Sequence, residues 1–144
     1  MNYLLQAYFN ATPGADLFNA MADVKRALRE SQILNGVLTV FIPMGCAGVV
    51  LLENDPALQA EFKETISSLV VSKGEGKPSR KSGTGTNAAH VKGALMSASV
   101  SIPIKDGKLL LGPWQEVIVF DFDEKGGRRQ ILVQVFGDGA ENKK

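Results

Sequence analysis

Apolar and polar positions along the chain fall into runs of two periods. Tyr3 to Phe9 is aromatic and aliphatic enough for a strand, and Asn10-Ala11-Thr12-Pro13-Gly14 follows with consecutive breakers. The period then becomes helical. Leu17, Ala20, Met21, Val24 and Leu28 share one face, Lys25, Arg26 and Arg29 lie opposite and toward the C-terminal end, and Asp16 stands where an N-cap is wanted. Asn35-Gly36 ends the connection to Val37–Ile42, a nearly continuous apolar run of the kind expected for a strand covered on both faces. Pro43-Met44-Gly45-Cys46 interrupts it, and residues 47–52 read as a second buried strand. Asp55-Pro56 then opens a helix, with a carboxylate at the N-cap and proline in the first helical position. Leu58, Phe62, Ile66, Leu69 and Val70 form its expected inward stripe.

Residues 72–86 are polar, basic and glycine-rich, as in a surface loop. Asn87 is placed to cap a short helix in which Val91, Ala94, Leu95 and Ala98 recur at helical spacing. Val100, Ile102 and Ile104 alternate with polar or proline positions, the period of a half-exposed strand, and Asp106-Gly107 closes a hairpin onto residues 109–111. Residues 116–122 and 129–136 read as a strand pair joined through Glu124-Lys125-Gly126-Gly127. These elements predict one α+β domain over residues 1–137, with a largely antiparallel sheet, two principal helices and one short one, and a polar tail at 138–144.

Composition narrows the function classes. With 144 residues and a net charge of +1, the chain has room for one domain and no electrostatic bias toward nucleic acid or a membrane surface. A single cysteine rules out an internal disulfide framework and a paired-cysteine zinc site. The opening residues turn polar too soon for a signal peptide, and no apolar run approaches a membrane span, so a cytoplasmic location without nucleic-acid or membrane partners is expected.

Chemistry concentrates in a few residues. His90, the sole histidine, would lie in the first turn of the short helix, where exposed N–H groups favour an anion and a neutral imidazole; ordinary packing uses histidine equally well. Cys46 lies in a strand-end loop, where a thiolate partnered by His90 is one reading and a small buried hydrophobe the commoner one. Lys73, Lys77, Arg80 and Lys81 interleave with Ser79, Ser82, Thr84 and Thr86 in a loop suited to a phosphate group, or simply to solvation. Trp114 reads as a core or subunit contact, Gln115 offers amide hydrogen bonds, and Asp121 and Asp123 face one way on a strand, to pair with Arg128 or Arg129.

Several of these stretches, taken in order, carry a resemblance. Val40-Phe41-Ile42-Pro43, Ala47 and Glu53-Asn54-Asp55-Pro56, then Gly85, His90, Lys92 and Leu95, then Asp106 through Gln115, and Phe122-Asp123 with Arg128-Arg129 together resemble the YjbQ family, often labelled secondary thiamine-phosphate synthase enzymes. The resemblance spans nearly the whole chain. It implies a stacked α+β fold, a homotrimer, and a polar site built from the strand-end loop and the His-bearing stretch. It also implies a weak thiamine-phosphate-synthase-like activity or binding of a small phosphorylated metabolite. His90 would then be the acid/base or ligand, Lys92 with Arg80, Lys81, Thr84 and Thr86 would hold phosphate, Glu53 and Asn54 would orient the groups, and Cys46 and Gln115 would line the site. The pattern also departs from the family's. Met44 stands where a His is expected, Gly45 and Cys46 where two Thr are, Thr84 and Thr86 where Asp and Asn are, and Ala88 where an acidic residue or His is. A divalent metal on His90 would have to recruit carboxylates such as Glu53, Asp121 or Asp123. A catalytically silent binding or scaffold member is the alternative.

Overall fold

The computed structural model describes residues 1–14, 16–70 and 86–140. In chain order these form β1 (Asn2–Ala11), β2 (Asp16–Asn19), α1 (Met21–Ser31), β3 (Ile33–Phe41), β4 (Ala47–Glu53), α2 (Pro56–Leu69), α3 (Asn87–Met96), β5 (Ser99–Lys105), β6 (Lys108–Leu109), β7 (Gln115–Asp121) and β8 (Gly127–Gly139). A five-stranded sheet in the order β1-β8-β3-β5-β6 stacks on a three-stranded sheet in the order β2-β7-β4, and the strand pairings are antiparallel. This is the α+β architecture the pattern predicts. One core lies between the sheets and α1, built from Phe9, Val24, Leu38, Val40, Val49, Val117, Val119, Ile131 and Val133 among others. A second core, with Cys46, Ile66, Ala89, Met96, Ile118, Phe120 and Phe122, lies where α2 and α3 cover the outer side of the smaller sheet.

Several elements differ from the sequence expectation for identifiable reasons. Asp16 does not cap a helix. Its carboxylate accepts from the Thr12 and Leu17 N–H groups at 3.0 and 2.8 Å, and residues 16–19 pair with β7 instead, while Asn19 Oδ1 receives the Met21 N–H at 2.9 Å where α1 begins. Asn35-Gly36 lies inside β3, at a bulge, and that strand is covered on one face only: Leu38 and Val40 are buried, Val37 and Phe41 exposed. Strands β7 and β8 are not a hairpin pair, because β7 already has β2 and β4 on its two edges and β8 joins β1 and β3. Strand β8 runs on to Gly139, two residues into the stretch expected as a polar tail, and β6 is Lys108–Leu109, which takes in only Leu109 of the expected 109–111 strand. In α2, Leu69 is exposed while Gln59 is buried.

The short helix is the most instructive difference. Thr86, not Asn87, is its N-cap, with Oγ1 accepting from the Ala89 N–H at 3.1 Å. Its buried residues are Ala89, Gly93 and Met96, whereas Val91 and Leu95 face out and Ala98 lies beyond its end. Helix α3 presses so closely on β4 that small residues are selected over large ones. A Cβ on Gly93 would sit 2.6 Å from the Gly45 carbonyl oxygen, and one on Gly48 would sit 2.6 Å from Met96 Cβ.

This contact seals Cys46, which has no exposed surface. Burial pushes its thiol up to about 11, with the charges of Asp121 and Asp123 adding to the effect. A thiol held protonated in the core is a packing group, so the nucleophile reading of Cys46 is set aside.

Two outcomes are expected. Alanine at Gly93 gains about 1 kcal/mol of helix propensity, but overpacking against fixed backbone costs about 1–3 kcal/mol, so Gly93→Ala should lower the urea midpoint; a raised midpoint would show that α3 is not docked this tightly. For Cys46, a folded-state value above the unfolded 9.0 means stability is intact below pH 9 and is lost as pH rises through about 11. Urea midpoints across that range should fall in the native protein and fall less in Cys46→Ala, and iodoacetamide should label Cys46 only on unfolding.

Candidate functional site

The candidate residues collect at the two ends of β4. At its start, the His90 imidazole lies on the backbone of Gly45, where an added Cβ would meet Nδ1 at 2.6 Å. Helix α3 brings Thr86 and Lys92 to the same end, and Lys92 Nζ stands 5.8 Å from the centre of the Phe122 ring. Cys46 lies behind this surface. Arg80, Lys81 and Thr84, with the rest of the basic loop from Lys73, fall outside the described residues.

Near this end lies a buried ionic cluster. Arg129 Nε donates to Asp121 Oδ2 at 2.5 Å, and its terminal nitrogen donates to Asp123 Oδ2 and to the Gly126 carbonyl, both at 3.0 Å. Burial alone would lower the guanidinium's proton affinity; the hydrogen bond and charge of Asp121, then the charge of Asp123, outweigh it and raise it. The remaining Asp oxygens accept backbone N–H groups of Asp123 and Lys125 at 2.8 and 3.1 Å. Of the two expected partners it is therefore Arg129 that pairs, while Arg128 lies over the Tyr8 ring at 4.0 Å. These carboxylates are fully engaged.

At the other end of β4, Glu53 and Asn54 meet Gln115 in an open cleft of about 590 Å³, also lined by Met21, Lys25, Asp55, Leu111, Gly112, Pro113, Trp114 and Glu116. Asp55 caps α2, accepting from the Ala57 N–H at 2.9 Å, Glu116 accepts from Asn19 Nδ2 at 2.7 Å, and Asn54 accepts from Gln59 Nε2 at 3.3 Å. The Glu53 and Lys25 side chains make no hydrogen bond or ion pair among the described residues. Trp114 is 73% exposed, so it is not a core residue of this chain.

Sequence reasoning found Glu53, Asn54 and Gln115 but missed Lys25, which it assigned to the solvent face of α1, and Glu116, which it read only as a strand position. A Trp-Gln pair following Gly112-Pro113 was the available signal, since breakers on the approach to a strand lift the next side chain out of the sheet.

Six residue steps of strand at about 3.3 Å put the two ends on the order of 20 Å apart. Within one chain, His90 and Glu53 therefore do not share a site. Among the described residues no three His, Cys, Asp or Glu side chains gather to hold a metal ion, and the Asp oxygens near His90 are occupied by Arg129 and backbone N–H groups. A divalent metal on His90 does not fit the donors of a single described chain.

Comparison with known proteins places the chain. The family profile described as "UPF0047 protein YjbQ-like" matches residues 6–138. A UPF0047 protein of Methanocaldococcus jannaschii is 34% identical over 116 residues, covering 78% of each chain, and one of Synechocystis is 30% identical over 129 residues, covering 89% of this chain and 88% of that one. Among solved structures, a YbjQ-like protein of unknown function from Sulfolobus solfataricus superposes with a TM-score of 0.86 over 96% of this chain and 99% of that one, at 22% identity. An uncharacterised conserved protein of the YjbQ/UPF0047 family from Clostridium acetobutylicum gives 0.81 over 92% and 99%, at 26% identity. With the profile match spanning nearly the full length and the fold shared at a TM-score of 0.86, the chain belongs to the UPF0047, YjbQ-like family.

Proposed function

We propose that the protein acts as a homotrimer in which the cleft of one protomer is completed by the α3 end of a neighbour, and that the shared site binds a small phosphorylated metabolite of the thiamine-phosphate class. The observation that carries this reading is the division of the candidate residues between the two ends of β4. Neither group makes a full site alone, and their charges are complementary. The cleft is anionic, with Glu53, Asp55 and Glu116 against Lys25. The α3 end offers Lys92, His90 and the N–H groups of a first turn, which suit a phosphate. Arg80, Lys81 and Thr84 precede Thr86 in the chain and would add cationic and hydroxyl contacts there.

In this arrangement His90 serves as acid/base or phosphate ligand, Lys92 holds the phosphate, and Glu53, Asn54 and Gln115 orient the remainder. A weak thiamine-phosphate-synthase-like turnover is the activity that family resemblance suggests. The outward face of the five-stranded sheet supplies a surface for assembly: Leu4, Phe41 and Phe136 are exposed beside Leu132 on a shallow groove of about 540 Å³. A cytoplasmic location accords with a family site for a soluble metabolite; no described helix is long and apolar enough to cross a membrane.

A second reading, a silent scaffold of the same fold, is favoured by Met44, Gly45 and Cys46 standing where the family pattern has His and two Thr, and by the buried, inert thiol of Cys46.

Light scattering should give a trimer mass, and titration calorimetry should show binding of thiamine monophosphate. His90→Ala and Gln115→Ala should each weaken it by about tenfold or more. Co-expressed in equal amounts, the two variants should regain about a quarter of the sites, because random assembly pairs an intact cleft with an intact α3 end that often. No recovery would refute a shared site, and wild-type protein that ignores thiamine monophosphate would favour the silent scaffold.

A further inference from the structure

We infer that the Glu53–Trp114 cleft recognises an organic cation, a quaternary ammonium or N-alkylated heteroaromatic group, as the positive part of its ligand. The inference deepens the proposed function and rests on the cleft that reading uses, though not on the pairing of protomers.

Trp114 is the first ground. It is the sole tryptophan of the chain, and it is held in water by a closed loop. The Gln115 N–H donates to the Gly112 carbonyl at 3.1 Å, and the Gly112 N–H donates to Gln115 Oε1 at 2.8 Å. A Cβ on Gly112 would stand 3.1 Å from that same Oε1, so a larger residue there would press on the Gln115 amide. The loop sets the Trp114 backbone at the cleft, and the indole, 73% exposed, has a π-face open to a ligand there.

Charge is the second ground. Asp55 and Glu116 are committed to the α2 N-terminus and to Asn19, which leaves Glu53 as the carboxylate able to meet a ligand. Lys25 lines the same cleft yet does not pair with Glu53, so one ammonium and one carboxylate remain for a molecule carrying both signs. With three carboxylates against one ammonium, the positive part of such a molecule is favoured in the cleft.

The geometry points to an organic cation over a metal ion. Bare divalent cations need several converging oxygen ligands, and no described trio of acidic or histidine side chains provides them. A soft, weakly hydrated cation gains instead from an aromatic face with one carboxylate nearby. A volume of about 590 Å³ accommodates such a group with its substituents.

Trp114 emission provides the test. Acrylamide should quench it in the intact assembly, and choline should change it saturably. Neohexanol, the uncharged carbon analogue of choline, should bind about tenfold more weakly or not at all, and Glu53→Gln should weaken choline about fivefold with no change in melting temperature. Equal binding of choline and neohexanol, an unsaturable response, or a Trp114 that acrylamide cannot reach would each overturn the inference. Choline carries no phosphate, so this result is independent of whether mixed variants regain thiamine monophosphate binding.

Discussion

Strand β7 has almost no surface to give to water, and most of the fold follows from accommodating it. Val117 and Val119 point into the core shared with the large sheet and α1, while Ile118, Phe120 and Phe122 point into the core under α2 and α3. Burying each such side chain stabilises the fold by about 1.5–3 kcal/mol, which is realised only if both layers are present. Both edges of β7 must also be paired, because a buried N–H or carbonyl without a partner is destabilising. Strands β2 and β4 take those edges, so β8 is forced across to the other sheet. The crossing carries Asp121 and Asp123 inside, where Arg129 from the start of β8 meets them. Such a cluster is weak as a source of stability, but once buried it tolerates the loss of no member.

Strand β4, as the other partner of β7, sets the spacing of the candidate site residues. One of its ends is covered by α3 and the other opens at the cleft, so a rigid strand fixes how far apart the two groups stand. The approach of α3 is governed by Gly45, Gly48 and Gly93, whose missing side chains let backbone meet backbone. His90 and Lys92 are carried on that helix, so their positions depend on three glycines that carry no chemistry themselves.

These arrangements were unequally legible in the sequence. Asp55-Pro56, the alternating Val100, Ile102 and Ile104, and the Asp106-Gly107 turn each state a local rule, and the chain obeys them; Asp106 and Gly107 both have positive φ, at 50° and 73°. Asp16 was misleading because a carboxylate that satisfies a turn and one that caps a helix look alike in sequence, and the pairing with β7 that decides between them is remote. Adjacent strands β7 and β8 suggested a hairpin, since nothing local shows that both edges of β7 are already taken. In α3 the large apolar residues traced a stripe at the right spacing on the wrong face, because close helix–strand contact rewards absence of volume. For the site, Glu53, Asn54 and Gln115 were found as separate residues, and only the fold shows that they converge and that His90 lies elsewhere.

The same geometry changes how the departures at the strand-end loop are understood. Gly45 stands where the resemblance read from the sequence leads one to expect a threonine, which in sequence alone looks like the loss of a hydroxyl. In the fold, the His90 imidazole occupies the space that any side chain at position 45 would need, with Nδ1 and Cε1 at 2.6 and 2.8 Å from an ideal Cβ. A threonine there and His90 in this seat exclude each other sterically. Glycine at 45 and the observed seat of His90 are therefore one coupled feature. Cys46, turned into the core beside it, fills volume with an apolar thiol where a threonine would need a hydrogen-bond partner for its hydroxyl. At Gly45 the loop presents bare backbone on which the His90 ring packs. The polar side chains at this end of β4 are therefore His90 and Lys92 on α3 and Thr86 at its N-cap, with the loop beneath His90 as their floor.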